Sequence, residues 1–265
     1  MKLFQAALAG ALVASPALAH QIAGILLVNN TASPEWKYVR NVFSEFYNPP
    51  GAYPDGSQFP KTPPLMDITN PNITCGRAAF DSAPTTETAD VLAGSEIGFR
   101  VSWDGNGPGG VFWHPGPGQV YISQVPGEVE GGLGGFHGRE GEWFKIAYAG
   151  PVSNREWTLW GAHDFNFTIP ATTPPGAYLM RLEQWLPTKM YNYSQWYVNC
   201  AHINVIGPGG GTPTGFAKFP GTYTVDSPGL QIPENQVVDG GWVPDDQLRL
   251  LEYQAPGPDV WTGEA

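Results

Sequence analysis

Four side chains in this sequence have the types and spacing to build a metal site: His20, His114, Gln195 and Tyr197. His20 is singled out by what stands in front of it. Residues 1–19 open with Lys2, run apolar from Ala6 to Val13 and close on Ala17-Leu18-Ala19. That is the layout of a secretory signal peptide with an A-x-A cleavage site. Cleavage after Ala19 makes histidine the first residue of the mature chain. Its freed α-amine and its imidazole then close a chelate ring on a metal that no internal histidine can form.

A further nitrogen ligand has to come from His114, His137, His163 or His202. His114 lies in Phe112-Trp113-His114-Pro115-Gly116-Pro117, a turn leading into an apolar segment. Its Gly and Pro neighbours stiffen the backbone, which suits a ligand, although a loop histidine taken alone is more often solvated. In Gln195-Trp196-Tyr197-Val198-Asn199-Cys200, a strand places Gln195 and Tyr197 on one face and Trp196, Val198 and Cys200 on the other. An amide and a phenol then meet at one site. A buried tyrosine with a satisfied hydroxyl is an equally ordinary reading of the same pattern.

The elements that would position these residues are strands. Thirty-four glycines and 27 prolines are spread between short apolar segments, a texture of strands and loops rather than helices. Strands are predicted at 21–28, 96–103, 119–123, 144–149, 157–169, 177–186 and 195–206. The clearest is 96–103, where Ile97, Phe99, Val101 and Trp103 alternate with Glu96, Gly98, Arg100 and Ser102. One helix is predicted from Ser33 to Phe46, with Ser33 as cap, Pro34 in the first turn, and Trp36, Val39, Phe43 and Phe46 at helical spacing. Segments 41–62 and 126–142 read as long loops, the kind that carry function. The expected fold class is all-β, an immunoglobulin-like or fibronectin-like β-sandwich with long loops and short helical segments. No linker or repeat divides residues 20–265, so one domain is expected.

A formal net charge of −11 argues against nucleic acid and anionic membranes as partners. No apolar run after the leader reaches the length of a spanning helix. A secreted, soluble, monomeric protein is therefore expected. In that oxidising compartment Cys75 and Cys200 should form a disulfide. Sequons beginning at Asn29, Asn72, Asn166 and Asn192 are candidate glycosylation sites.

The chain resembles fungal lytic polysaccharide monooxygenases of auxiliary activity family 9. The resemblance rests on the N-terminal His20 and on His114-x-Gly116-Pro117 with Val120-Tyr121. It continues through Trp143-Phe144-Lys145-Ile146, Pro175-Gly176-x-Tyr178-Leu179-x-Arg181-x-Glu183 and Gln195-x-Tyr197-x-x-Cys200. Asp67-Ile68-Thr69, Ile73-Thr74-Cys75, Phe219-Pro220-Gly221-x-Tyr223 and Tyr253-x-x-Pro256-Gly257-Pro258-x-Val260-Trp261 also fit. The segments follow one another in the family's order across residues 20–261.

That resemblance implies one copper per chain. His20 supplies an amine and an imidazole nitrogen, His114 a third nitrogen, and Tyr197 a weak axial oxygen. Gln195 is placed to hydrogen-bond an oxygen species. Three nitrogens suit Cu(II), whereas zinc would accept the same ligands without redox chemistry. The implied activity is oxidation of cellulose or a related β-glucan at C1 and/or C4, with an external electron donor. Aromatics of the long loops, Tyr47, Tyr53 and Phe59, are candidates for stacking on sugar rings.

The sequence departs from the family at one place. A histidine that stands beside the metal without ligating it usually follows the Arg-x-Glu motif, but here the stretch reads Gln184-Trp185-Leu186-Pro187-Thr188-Lys189. Counting forward puts the position at Thr188; counting back from Tyr197 puts it near Leu186. The departure keeps a second reading open, a copper-binding extracellular protein of the same fold with little polysaccharide-oxidising activity. A carbohydrate-binding domain without a metal is a third. A glycoside hydrolase needs two facing carboxylates, and no pair here stands out.

Overall fold

A computed structural model describes residues 21–43, 61–102, 109–238 and 241–264. His20 therefore lies outside the described residues, as do Phe46, Tyr47, Tyr53, Phe59 and Trp103. The chain folds as a β-sandwich. One sheet holds β1 (Ile22–Val28), β2 (Thr31–Ala32), β4 (Glu96–Ser102) and β9 (Asp164–Thr168), in the order β2-β1-β4-β9. The other holds β3 (Ala89–Leu92), β5 (Gly118–Gln124), β6 (Phe144–Ala149), β10 (Gly176–Leu186) and β11 (Gln195–Ile206), in the order β3-β11-β10-β5-β6. A small ribbon pairs β7 (Pro151–Ser153) with β8 (Glu156–Trp157).

The period-two alternation of side chains assigns each face. From β10, Tyr178, Met180 and Leu182 enter the core between the sheets, meeting Leu26, Phe99, Val101 and Ile203. The opposite face of β10 and β11 is also buried. There Leu179, Trp185, Trp196, Val198 and Cys200 are covered by the loop carrying Ile73 and Cys75 and by Phe219, Tyr223 and Leu230. Two covered faces explain why segments 177–186 and 195–206 read as nearly continuous apolar runs. The charges on that hidden face are paired: the Arg181 guanidinium and the Glu183 carboxylate approach to 2.6 Å, and Tyr223 also donates to Glu183.

The predicted helix from Ser33 to Phe46 is not formed over its described part. Trp36 has φ +59, outside the right-handed helical region, and its N–H donates to Gly24 O. The next residues run extended along β11, where Val39 bridges Ala201, Arg40 N–H donates to Cys200 O and His202 N–H donates to Tyr38 O. Ser33 Oγ accepts from Leu26 N–H and so closes the turn after β1 instead of capping a helix. The predicted strand 157–169 is broken by turns between β8 and β9, with Gly161 at φ +79. Three short strands escaped the pattern. β2 follows a two-residue hairpin in which Asn29 and Asn30 have φ of 48 and 60, the signature of the primed turns that match strand twist.

Candidate metal centre

β1 enters its sheet from Ile22, and the residue before it, Gln21, is buried at one end of the sandwich. Its side chain does two things. Gln21 Oε1 accepts the backbone N–H of Trp113, and Gln21 Nε2 donates to Gln184 Oε1. Gln184 is wholly buried on β10, on the face that β10 turns to the other sheet, and its Nε2 donates to the carbonyl of His114 at 3.0 Å. Two glutamines thus fasten the amino end of the described chain to the backbone on both sides of the Trp113–His114 peptide. Ala23 N–H donates to Asn199 Oδ1 at 2.9 Å, which ties the same end of β1 to β11.

The turn that carries His114 depends on Gly116. A Cβ there would stand 1.8 Å from Trp185 O, so only glycine lets the turn lie against the end of β10. Pro115 and Pro117 on either side are buried. Trp113 remains 46% exposed beside the site.

Tyr197 lies directly across the ladder from Gln184, and Gln195 across from Leu186. The Tyr197 ring stacks on the His114 imidazole with centroids 5.5 Å apart and planes 24° apart. Its hydroxyl donates to Gln195 Oε1 at 2.8 Å. Burial raises the phenol's pKa, with the Arg77 charge working the other way, so the phenol is neutral and can donate. Behind this strand Cys200 is bonded to Cys75. The structure therefore brings His114, Gln195 and Tyr197 to one patch and puts Trp196, Val198 and Cys200 on the other face.

The remaining histidines stand elsewhere. His202 is buried and its Nε2 accepts from Arg40 Nε at 2.8 Å. His137 is exposed and stacks on Phe80. His163 Nδ1 donates to Gly110 O at 2.8 Å. Of the two counts for the missing histidine, Leu186 is the one paired with Gln195. Thr188 bridges Gln231 instead, with its hydroxyl on Met190 O. Among the described residues no three His, Cys, Asp or Glu side chains converge on one point. The residues that sequence reasoning missed are Gln21, Gln184 and Trp113. Gln184 had a visible signal, a polar residue on the core-facing alternation after Met180 and Leu182.

The chain matches the sequence profile of Auxiliary Activity family 9 (formerly GH61) over residues 20–239. It is 65% identical over 263 residues to AA9 family lytic polysaccharide monooxygenase U of Thermothielavioides terrestris, covering 99% of this chain and 100% of that one. It is 33% identical to AA9 family lytic polysaccharide monooxygenase C of Emericella nidulans, over 95% of each chain. Among solved structures, a cellulose-active polysaccharide monooxygenase from M. thermophila superposes with a TM-score of 0.63 at 23% identity, covering 92% of this chain and 100% of that one.

Proposed function

Because this chain belongs to Auxiliary Activity family 9 and is a lytic polysaccharide monooxygenase, a copper oxidoreductase, we propose that its copper is held by His20, His114 and Tyr197. Residues 1–19 are removed on secretion, leaving His20 as the mature N-terminus with a free amine. The observation that carries this reading is the double tether of Gln21 to the Trp113–His114 peptide. Residue 20 is one Cα–Cα step of about 3.8 Å from Gln21. An amine and an imidazole attached there would stand one residue from the tether that also holds the His114 backbone. Two imidazoles and an amine form a nitrogen set suited to Cu(II). The family match starting at residue 20 supports the same first residue.

Copper bound there supplies one-electron redox chemistry toward dioxygen or peroxide, fed by an external electron donor. The protein's own groups set the surroundings. The Tyr197 hydroxyl donates its proton to Gln195 Oε1, so its oxygen would face the copper as an acceptor and a weak ligand. With Oε1 accepting, the NH₂ of Gln195 is the end available to donate to an oxygen species. Leu186, opposite Gln195, brings no proton.

The substrate is cellulose or a related β-glucan, oxidised at C1 and/or C4. Trp113 is exposed beside His114. The segment pairing with Phe112, through Gly161 N–H to Phe112 O, carries Trp160, 41% exposed. Flat aromatic faces of this kind suit the apolar faces of pyranose rings, and a neutral glucan is not repelled by an acidic protein. The enzyme acts outside the cell as a single-domain monomer. Glycans are carried at the sequons, of which Asn29, Asn166 and Asn192 are exposed. The test is incubation of copper-loaded mature protein with celluloses and hemicelluloses plus ascorbate. Oxidised oligosaccharides in the mass spectrum are expected; their absence on every β-glucan overturns the substrate reading.

A further inference from the structure

A cavity of about 220 Å³ lies far from the Gln195–Tyr197 patch in sequence, between segment 71–81 and the loop that carries His137 and Arg139. Its wall includes Arg40, Asn72, Phe80, Asp81, His137 and Arg139. The volume exceeds that of several waters, each of which takes about 30 Å³ in the liquid. Three observations describe what would fill it. Phe80 and His137 stack on each other with planes 17° apart, giving the cavity an aromatic side. Charged donors and an acceptor, Arg139 and Asp81, stand beside that pair, the mixture of flat apolar surface and hydrogen-bonding groups that a sugar ring requires. Arg40 is fully buried with Nε on His202 and Nη2 on Leu133 O and Phe136 O, while its Nη1 has no acceptor among the described residues. The Arg40 guanidinium thus stands behind the cavity wall as a fixed positive group.

The occupant is attached to the wall itself. Asn72 opens the sequon Asn72-Ile73-Thr74, and it is half-buried in the cavity lining whereas Asn29, Asn166 and Asn192 stand in the open. We propose that Asn72 carries an N-linked glycan whose first N-acetylglucosamine is seated in this cavity against the Phe80–His137 pair. The inference rests on the secretory reading above. In the modification, a bond forms between Asn72 Nδ2 and the sugar's anomeric carbon. The bond from that carbon to the lipid-linked pyrophosphate donor breaks, the pyrophosphate keeps the electron pair, and the amide gives up one proton. Thr74 Oγ1 is committed in the fold, its single proton shared between Phe219 O at 2.7 Å and Pro71 O at 3.0 Å. Modification therefore precedes folding of this loop. Tethering then presents the sugar to its seat at a high effective concentration.

Protein secreted from a filamentous fungal host, with glycopeptides mapped by mass spectrometry, tests both parts. Asn72 should be occupied. Under native conditions an amidase that removes whole glycans should strip the exposed sequons but spare Asn72 until the protein is denatured. Trimming to a single N-acetylglucosamine should leave the melting temperature unchanged. Asn72→Gln should lower it by about 2–4 °C, the shift of roughly one hydrogen-bonded contact in a domain of this size, and Phe80→Ala should abolish that difference. An unmodified Asn72 beside occupied exposed sequons overturns the inference and leaves secretion standing. Complete native release at Asn72 overturns the seat, and this readout uses wild-type protein should the variants fail to fold. If no sequon is occupied and the chain does not begin at His20, the secretory reading itself fails.

Discussion

Gln184 and Tyr197 face each other across the β10–β11 ladder, one donating to the carbonyl of His114 and the other stacking on its ring. The backbone and the imidazole of one histidine are thus fixed by neighbouring positions of a single strand pair. Gln184 also accepts from Gln21, so the rigidity of the sheet reaches the chain's amino end.

Gln184→Met keeps the volume and removes those hydrogen bonds. The His114 carbonyl and the Gln21 amide then lose buried partners, at about 1–3 kcal/mol for each group left unpaired. A lower melting temperature of the apoprotein is expected, together with a copper Kd raised tenfold or more by calorimetry. A stability loss with an unchanged Kd would show that the amide serves packing alone.

Extending the mature N-terminus by one residue turns the amine of His20 into a peptide nitrogen. Copper affinity should collapse while the fold, read by circular dichroism and melting, stays as it was. Equal affinity in the extended protein sinks the amine-plus-imidazole site.

The position opposite Gln195 holds Leu186, so an oxygen species would lean on Gln195 for its hydrogen bond. Gln195→Ala should lower turnover by about 10²–10³ with copper loading intact, since one donor to developing charge carries that much in such sites. Leu186→His puts a proton donor on the neighbouring cross-strand position, where Cβ atoms lie about 4.5–5.5 Å apart, and should raise turnover. Wild-type rates surviving Gln195→Ala would mean another group serves the oxygen.

His202 gives the protein an acid-sensitive support. Burial, aided by the Arg40 charge, pushes its pKa down from 6.5 to about 3. Between those values the unfolded chain holds the proton and the folded one does not, so stability rises with pH across that window. The contribution is complete above the unfolded pKa and is lost as pH falls toward the folded one. His202→Gln should flatten the dependence of unfolding free energy on pH between about 4 and 6.5 by up to one proton. Identical slopes for the two proteins, measured by urea unfolding at stepped pH, would remove His202 from the account.

The strands that pass through the core were legible because alternation is a local property: Ile97, Phe99 and Val101 announce β4 without help from the rest of the chain. The grouping of His114, Gln195 and Tyr197 in one patch was legible because their residue types limit their uses. The failures have non-local causes. Trp36, Val39 and Phe43 imitate helical spacing, yet Val39 is spent on an edge contact with Ala201, 162 positions away and invisible to any window. β3 is four residues long and exists because β11 offers it a parallel edge. Gln184 was visible as a polar intruder on an apolar face, but its partners, Gln21 and the His114 carbonyl, are 163 and 70 positions distant.

β1 runs buried from Ile22 to Leu27 and is held on both sides by β2 and β4. A one-residue slip would turn every one of its side chains to the wrong face, so its register cannot move to accommodate a misplaced cut. In the proposed mature chain, β1 thereby fixes which residue can stand at the amino end of the site. Under the proposed cleavage after Ala19, a cut one residue early or late would leave Gln21 tethered as before and put the free amine on Ala19 or Gln21 instead of His20.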